Sequence, residues 1–107
     1  DVGNIVLRDR KLLSQDGILT VVVTIDKESN SVLAGPDIIS RGFVYVKESE
    51  ALMREAREII KDELDKCLDN NITEWFVIKS NIKEALGAFL YKKTKRSPLI
   101  LPIIMET

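Results

Sequence analysis

The strongest periodic signal in the chain is Ile18–Asp26, I-L-T-V-V-V-T-I-D, dense in β-branched residues and apolar at both alternating sets of positions. That pattern predicts a central strand covered on at least one side. Asp16–Gly17 before it carries turn chemistry, and the polar Lys27–Ser31 after it holds Asn30, which tolerates a left-handed turn conformation. Val32–Val46 then predicts one long bent strand, or two short ones, returning beside the first. Pro36 sets its own φ and has no N–H, so a paired central strand cannot pass through it unbroken. Ile38 and Ile39 call for burial. Asp37, Ser40 and Arg41, between Gly35 and Gly42, are polar, and form either a turn satisfying its own backbone or a docking loop for another domain or partner.

From Ser49 the period changes. Leu52, Ala56, Ile59, Ile60, Leu64, Cys67 and Leu68 recur at steps of three and four, marking the apolar face of a helix that Ser49 opens and Asn70–Asn71 closes. The charges on its other side alternate in sign, as on a solvated face. Asn71-Ile-Thr-Glu74 reads as a capping box for a second helix, with Thr73 as the other possible cap. This helix is predicted over Glu74 to about Lys93, turning Trp75, Ile78, Ile82, Ala85, Leu86, Phe89 and Leu90 inward. Gly87 inside it is expected to allow close approach of another backbone. Pro98 stops the helix beforehand, and Leu99–Met105 closes the chain as a strand. Pro102 places that strand at an edge or at a bulge.

Near the start, Asn4–Leu7 predicts a short strand and Arg8–Gln15 one or two helical turns with Leu12 and Leu13 inward. The order is β-β-β-α-α-β: an α+β two-layer sandwich, one sheet of three to four strands packed on two helices. Residues 1–16 read as a lead-in linker from a longer chain, and residues 17–107 as the domain. Whether the last strand runs parallel or antiparallel is not set by its sequence.

Composition narrows the function. With 107 residues, 45% apolar and 31% charged, the chain is expected to form one core of its own. There is no apolar run long enough to span a bilayer and no basic-then-apolar leader, so a cytoplasmic location is expected. One cysteine excludes an internal disulfide. The absence of histidine removes Ser/His and Cys/His nucleophilic pairs and the commonest transition-metal ligand. No phosphate-binding glycine loop or dinucleotide fingerprint is present. Asp62, Glu63 and Asp65 lack the turn glycine or histidine that would make them a convincing metal site. Cys67 on the apolar face reads as a buried thiol. No catalytic residue, metal ligand or cofactor site is therefore assigned to these residues.

The charge is unevenly spread. Residues 48–74 hold nine acidic and four basic side chains; residues 75–107 hold two acidic and six basic ones. Lys92, Lys93, Lys95 and Arg96 form the best candidate anion contact. Four cations at a helix C-terminus also complement the helix dipole, and the alternative is contact with an RNA phosphate backbone.

Three stretches carry a resemblance: Val2–Arg10 (V-G-N-I-V-L-R-D-R), Gly35–Val46 (G-P-D-I-I-S-R-G-F-V-Y-V) and Lys93–Glu106 (K-T-K-R-S-P-L-I-L-P-I-I-M-E). Together they resemble the C-terminal region of bacterial ribonuclease J, over nearly the whole chain. The resemblance implies a parent in which a metallo-β-lactamase core with an inserted β-CASP domain, holding zinc or another divalent metal, cleaves RNA by 5′-to-3′ exonucleolytic and endonucleolytic modes. The family's His and Asp metal ligands match no position here. What it implies for this chain is a noncatalytic domain supporting oligomer assembly and activity in RNA processing and decay. The partners implied are the catalytic core of the same chain and further copies in a homodimer or higher homo-oligomer; the residues themselves point to self-association through the sheet edge or an apolar helix surface. RNA is the substrate of the whole enzyme. The rival function is an auxiliary RNA-backbone-binding module using Lys92–Arg96.

Overall fold

In the computed structural model, which describes residues 16–43 and 49–107, strand β1 (Ile18–Asp26) takes the central place its apolar character predicts. Its side chains alternate strictly. Leu19, Val21, Val23 and Ile25 are buried, and the residues between them are half-buried. Strand β2 (Ser31–Arg41) returns antiparallel to β1, and strand β3 (Leu99–Glu106) runs parallel to it on the other side, giving the order β2-β1-β3. Helices α1 (Ser49–Asp69) and α2 (Trp75–Thr94) lie on one face only, α1 against β2 and α2 against β3. The described order, β-β-α-α-β, is an α+β two-layer domain. The strand and helical turns predicted before Asp16, and the strand end at Val44–Val46, lie outside the described residues.

The core is where three periodicities meet. Leu52, Ala56, Ile60, Leu64 and Cys67 of α1, and Ile78, Ile82, Leu86 and Leu90 of α2, close over the inner face of β1 and Ile100 of β3. Burial of each large aliphatic side chain there contributes about 1.5–3 kcal/mol. The α1 terminus follows the asparagine prediction. Asn71 sits at φ 58, its N–H donates to the Leu68 carbonyl at 3.0 Å, and the Ile72 N–H donates to the Cys67 carbonyl at 2.9 Å. These two bonds form a left-handed helix stop, with Ile72 packed against the core behind it. The turn between β1 and β2 is likewise built from its polar residues. Asp26 accepts the Glu28 N–H and the Ser29 hydroxyl, Asn30 takes φ 55, and its amide donates to the Leu68 carbonyl.

Four expectations are corrected. The capping box does not form: α2 starts at Trp75 with Glu74 as its cap residue and no side-chain cap bond, because Asn71 is already engaged as the left-handed stop of α1. Of the two readings of Val32–Val46, the single bent strand holds as far as Arg41, so Asp37, Ser40 and Arg41 lie in strand rather than in a loop. Register shifts between Val22 and Ile25 absorb the irregularity at Pro36, and the outer side of this strand carries no ladder among the described residues that Pro36 could break. Ile39 is exposed, since strand alternation turns Ile38 toward the core and Ile39 away. Gly87 admits no backbone neighbour; a Cβ there would meet only Ile100 Cδ1, at 3.7 Å.

Pro102 is placed by the ladder itself. The Leu99 N–H donates to the Gly17 carbonyl and the Thr107 N–H to the Ile25 carbonyl, so the odd-numbered residues of β3 point their backbone groups at β1. Pro102 falls on the alternate set, facing away from the sheet. Its missing N–H therefore costs no bond to β1, and it removes a donor from the middle of an edge that has no partner strand among the described residues.

Gly17, at φ +81, occupies the crossing where β1 begins and β2 ends. A Cβ there would lie 2.4 Å from the Arg41 carbonyl oxygen and 2.6 Å from the Phe43 nitrogen. Gly17→Ala is expected to lower unfolding free energy by about 1–3 kcal/mol, whereas Gly87→Ala should raise it by up to about 1 kcal/mol. Denaturant titration of both variants checks the contrast, and equal effects would contradict these two placements.

Candidate functional site

The basic cluster sits at the end of α2, where the chain turns toward β3. Lys92 and Lys93 occupy the last helical turn, and Lys95 closes it in the left-handed region at φ 60, its N–H donating to the Tyr91 carbonyl at 2.8 Å. Thr94 stitches the turn: its hydroxyl donates to the Leu90 carbonyl at 2.7 Å and accepts the Arg96 N–H at 3.1 Å. The Ser97 N–H then donates to Asp16 Oδ2 at 2.7 Å. All four cations are exposed. Two have neighbours: Lys93 Nζ lies 3.7 Å from Glu55 Oε2, and Lys95 Nζ sits 5.3 Å from the centre of the Tyr91 ring. Both contacts are solvent-exposed and worth little to stability.

Asp37, Ser40 and Arg41 all fall in the second half of β2. Arg41 pairs with Ile18, and Ile18 pairs with Leu99 on the other side. Arg41 and the Lys95–Arg96 turn therefore lie at the same end of the sheet. Asp37 pairs with Val22 and shares the outer face with Ile39 and Arg41. Ser40 belongs to the opposite set, its hydroxyl 3.4 Å from the Phe43 carbonyl. Among the described residues, no hydrogen bond or ion pair joins these three residues to the basic cluster.

Two surfaces escape a residue-type search. The first is the outer face of the sheet, where Ile39, Leu101, Ile103 and Met105 are 41–53% exposed around the half-buried Thr20 and Val22. Its signal was present in L-I-L-P-I-I-M, which is apolar at both alternating sets although helices cover only one. The second is a shallow cavity of about 810 Å³ between α2 and β3, lined by Phe76, Lys79, Ser80, Lys83, Glu84 and Pro102. The run Trp75–Ile78 holds four apolar residues at consecutive positions, and no helix can bury all of them. Phe76 is the one left out, at 71% exposure.

The interior offers no chemistry among the described residues. No polar or charged side chain is buried, and no group of three His, Cys, Asp or Glu residues is placed to hold a metal ion. Cys67 is buried, with the Asn81 amide 3.5 Å from its sulfur. The donors that a divalent metal would need are not supplied by these residues.

The family model of the ribonuclease J C-terminal domain matches residues 5–107. This chain belongs to the ribonuclease J C-terminal domain family. It is 54% identical over 106 residues to ribonuclease J2 of Bacillus subtilis strain 168, covering 99% of the chain and 19% of that protein. It is 50% identical over 106 residues to ribonuclease J 2 of Staphylococcus aureus strain NCTC 8325, with the same coverage. The chain thus spans about one fifth of the length of these relatives. Among its described residues no helix is long and apolar enough to cross a membrane.

The Asp16 carboxylate links the start of β1 to the basic turn through a single bond. Asp16→Ala is expected to cost about 1 kcal/mol in unfolding free energy and to raise amide exchange at Ser97. Unchanged protection of that amide would mean that the turn holds without the carboxylate.

Proposed function

We propose that this chain is a noncatalytic domain supporting oligomer assembly, and through it activity, in a metal-dependent ribonuclease of RNA processing and decay. In this reading the zinc or other divalent metal and the nucleolytic residues belong to the remainder of a longer protein. The observation that carries the assembly reading is the apolar outer face of the sheet, where Ile39, Leu101, Ile103 and Met105 have no covering element among the described residues. An exposed apolar patch is a standing driving force for association, at about 25 cal/mol per Å² buried. A second copy laid face to face on the first would bury the same residues on both sides, as two-fold symmetry requires. Adding a strand at the β3 edge is the poorer route, because Pro102 withholds a donor at its centre.

A second reading has Lys92, Lys93, Lys95 and Arg96 holding RNA phosphates. It is favoured by the exposure of all four at the end of the more positive helix. The two readings differ in salt dependence. Assembly through an apolar face tolerates moderate salt, whereas phosphate contacts weaken steeply with it.

Sedimentation of the chain across micromolar concentrations is expected to show a salt-tolerant dimer, and Ile103→Asp to return it to monomer without unfolding. A wild-type chain that stays monomeric would contradict self-association through this face. Asp37→Ala and Arg41→Ala border the same face. In the full-length enzyme they are expected to weaken assembly or activity, and an unaltered enzyme would remove their docking role.

A further inference from the structure

The cavity beside α2 has features that neither folding nor apolar assembly requires. Helix phase explains its composition. Burying Ile78, Ile82, Leu86 and Leu90 leaves Phe76, Lys79, Ser80 and Lys83 along one flank, and Pro102 of β3 forms the opposite wall. Lys79 and Lys83 are one turn apart, a like-charged pair that disfavours the helix. Among the described residues neither has an ion-pair partner. Glu84 is the one acid on the rim. Phe76 presents most of its ring to solvent beside them.

The charge of the helical layer points the same way. Helix α1 carries seven acidic and four basic residues, α2 one acidic and four basic ones, and Lys95 and Arg96 follow directly. The fold sets α1 over β2 and α2 over β3, so the positive helix borders the β3 edge of the sheet. Such a one-sided field draws polyanions to that edge.

We propose that the groove between α2 and the outward edge of β3 binds single-stranded RNA, with Phe76 stacking on a base and Lys79 and Lys83 holding neighbouring phosphates. A groove that tracks the backbone with cations and offers an aromatic plate to a base is the recurring solution for single strands. The Ser80 hydroxyl lies within the same lining as a further donor for phosphate or ribose oxygen. An acidic peptide fits less well. A peptide lying in this groove would use the β3 edge as its hydrogen-bonding template, and Pro102 interrupts that edge beside Phe76 and the two lysines. The site is separate from the outer face of the sheet, so assembly and RNA binding stand or fall independently.

The test is fluorescence anisotropy of a short 5′-labelled oligouridylate titrated with the chain over a range of salt concentrations. The wild type is expected to bind, more weakly as salt rises. K79Q/K83Q should reduce the salt slope by about 1.4, since each phosphate contact on a single strand contributes about 0.7. Phe76→Ala should weaken binding at least about five-fold, the lower limit for loss of one base stack, and Phe76→Tyr should restore it. Circular dichroism and sedimentation establish that these variants keep their fold and mass. Failure of the wild type to bind RNA would overturn the proposal. So would wild-type affinity in both K79Q/K83Q and Phe76→Ala, or equally tight, Phe76-dependent binding of an oligoglutamate peptide.

Discussion

The inner face of β1 is the contact on which the other elements depend. Leu19, Val21, Val23 and Ile25 form the floor on which α1 and α2 rest, and the same strand supplies the ladder for β2 on one side and β3 on the other. Neither flanking strand has another partner within the described sheet, so loss of this floor would release both. The arrangement is also one-sided. Among the described residues two helices cover one face of three strands and nothing covers the other, although Leu101, Ile103 and Met105 there are as apolar as residues inside. A conflict between apolar side chains and water on an ordered surface is the physical basis of the assembly reading.

The edges of the same sheet are treated differently from its outer face. β2 is irregular around Pro36, and β3 carries Pro102 on its outward set, so both edges are poor templates for an added strand. The outer face carries no such protection. Association through a face rather than an edge also leaves the α2–β3 groove open, and so keeps its cations and Phe76 accessible in a dimer. The helical layer adds polarity of another kind, with α1 net acidic and α2 net basic. Their placement side by side turns a difference along the sequence into a field across the molecule.

The chain has no histidine, and its described interior contains no buried polar or charged side chain that could be tuned for proton transfer or metal ligation. The described surface carries two distinct features, an apolar outer sheet face and a cationic groove with one exposed aromatic ring.

Much of the fold was legible from the residues because local physics decides it. β-branched density marked β1, three-and-four spacing marked the two helices and most of their buried residues, and Asn30 and Asn71 announced left-handed turns that the backbone adopts at φ 55 and φ 58. Pro102 announced an edge or a bulge, and β3 lies at an edge of the described sheet. Signals that depend on a competing use of the same residue misled: Asn71 can stop one helix or cap the next, and its neighbours decide for the former. The parallel direction of β3 was not legible, because a strand's apolar pattern is the same read from either end. Nor were the two candidate surfaces. Exposure of Phe76 and Ile103 depends on which faces the helices cover, and the groove joins residues 76–84 to Pro102 only once α2 lies against β3. Periodicity and turn chemistry are properties of neighbours in sequence, and the sequence by itself determined what rests on them. Which apolar residues face water, and which charges share a groove, are properties of packing between distant segments, and only the tertiary structure decided them.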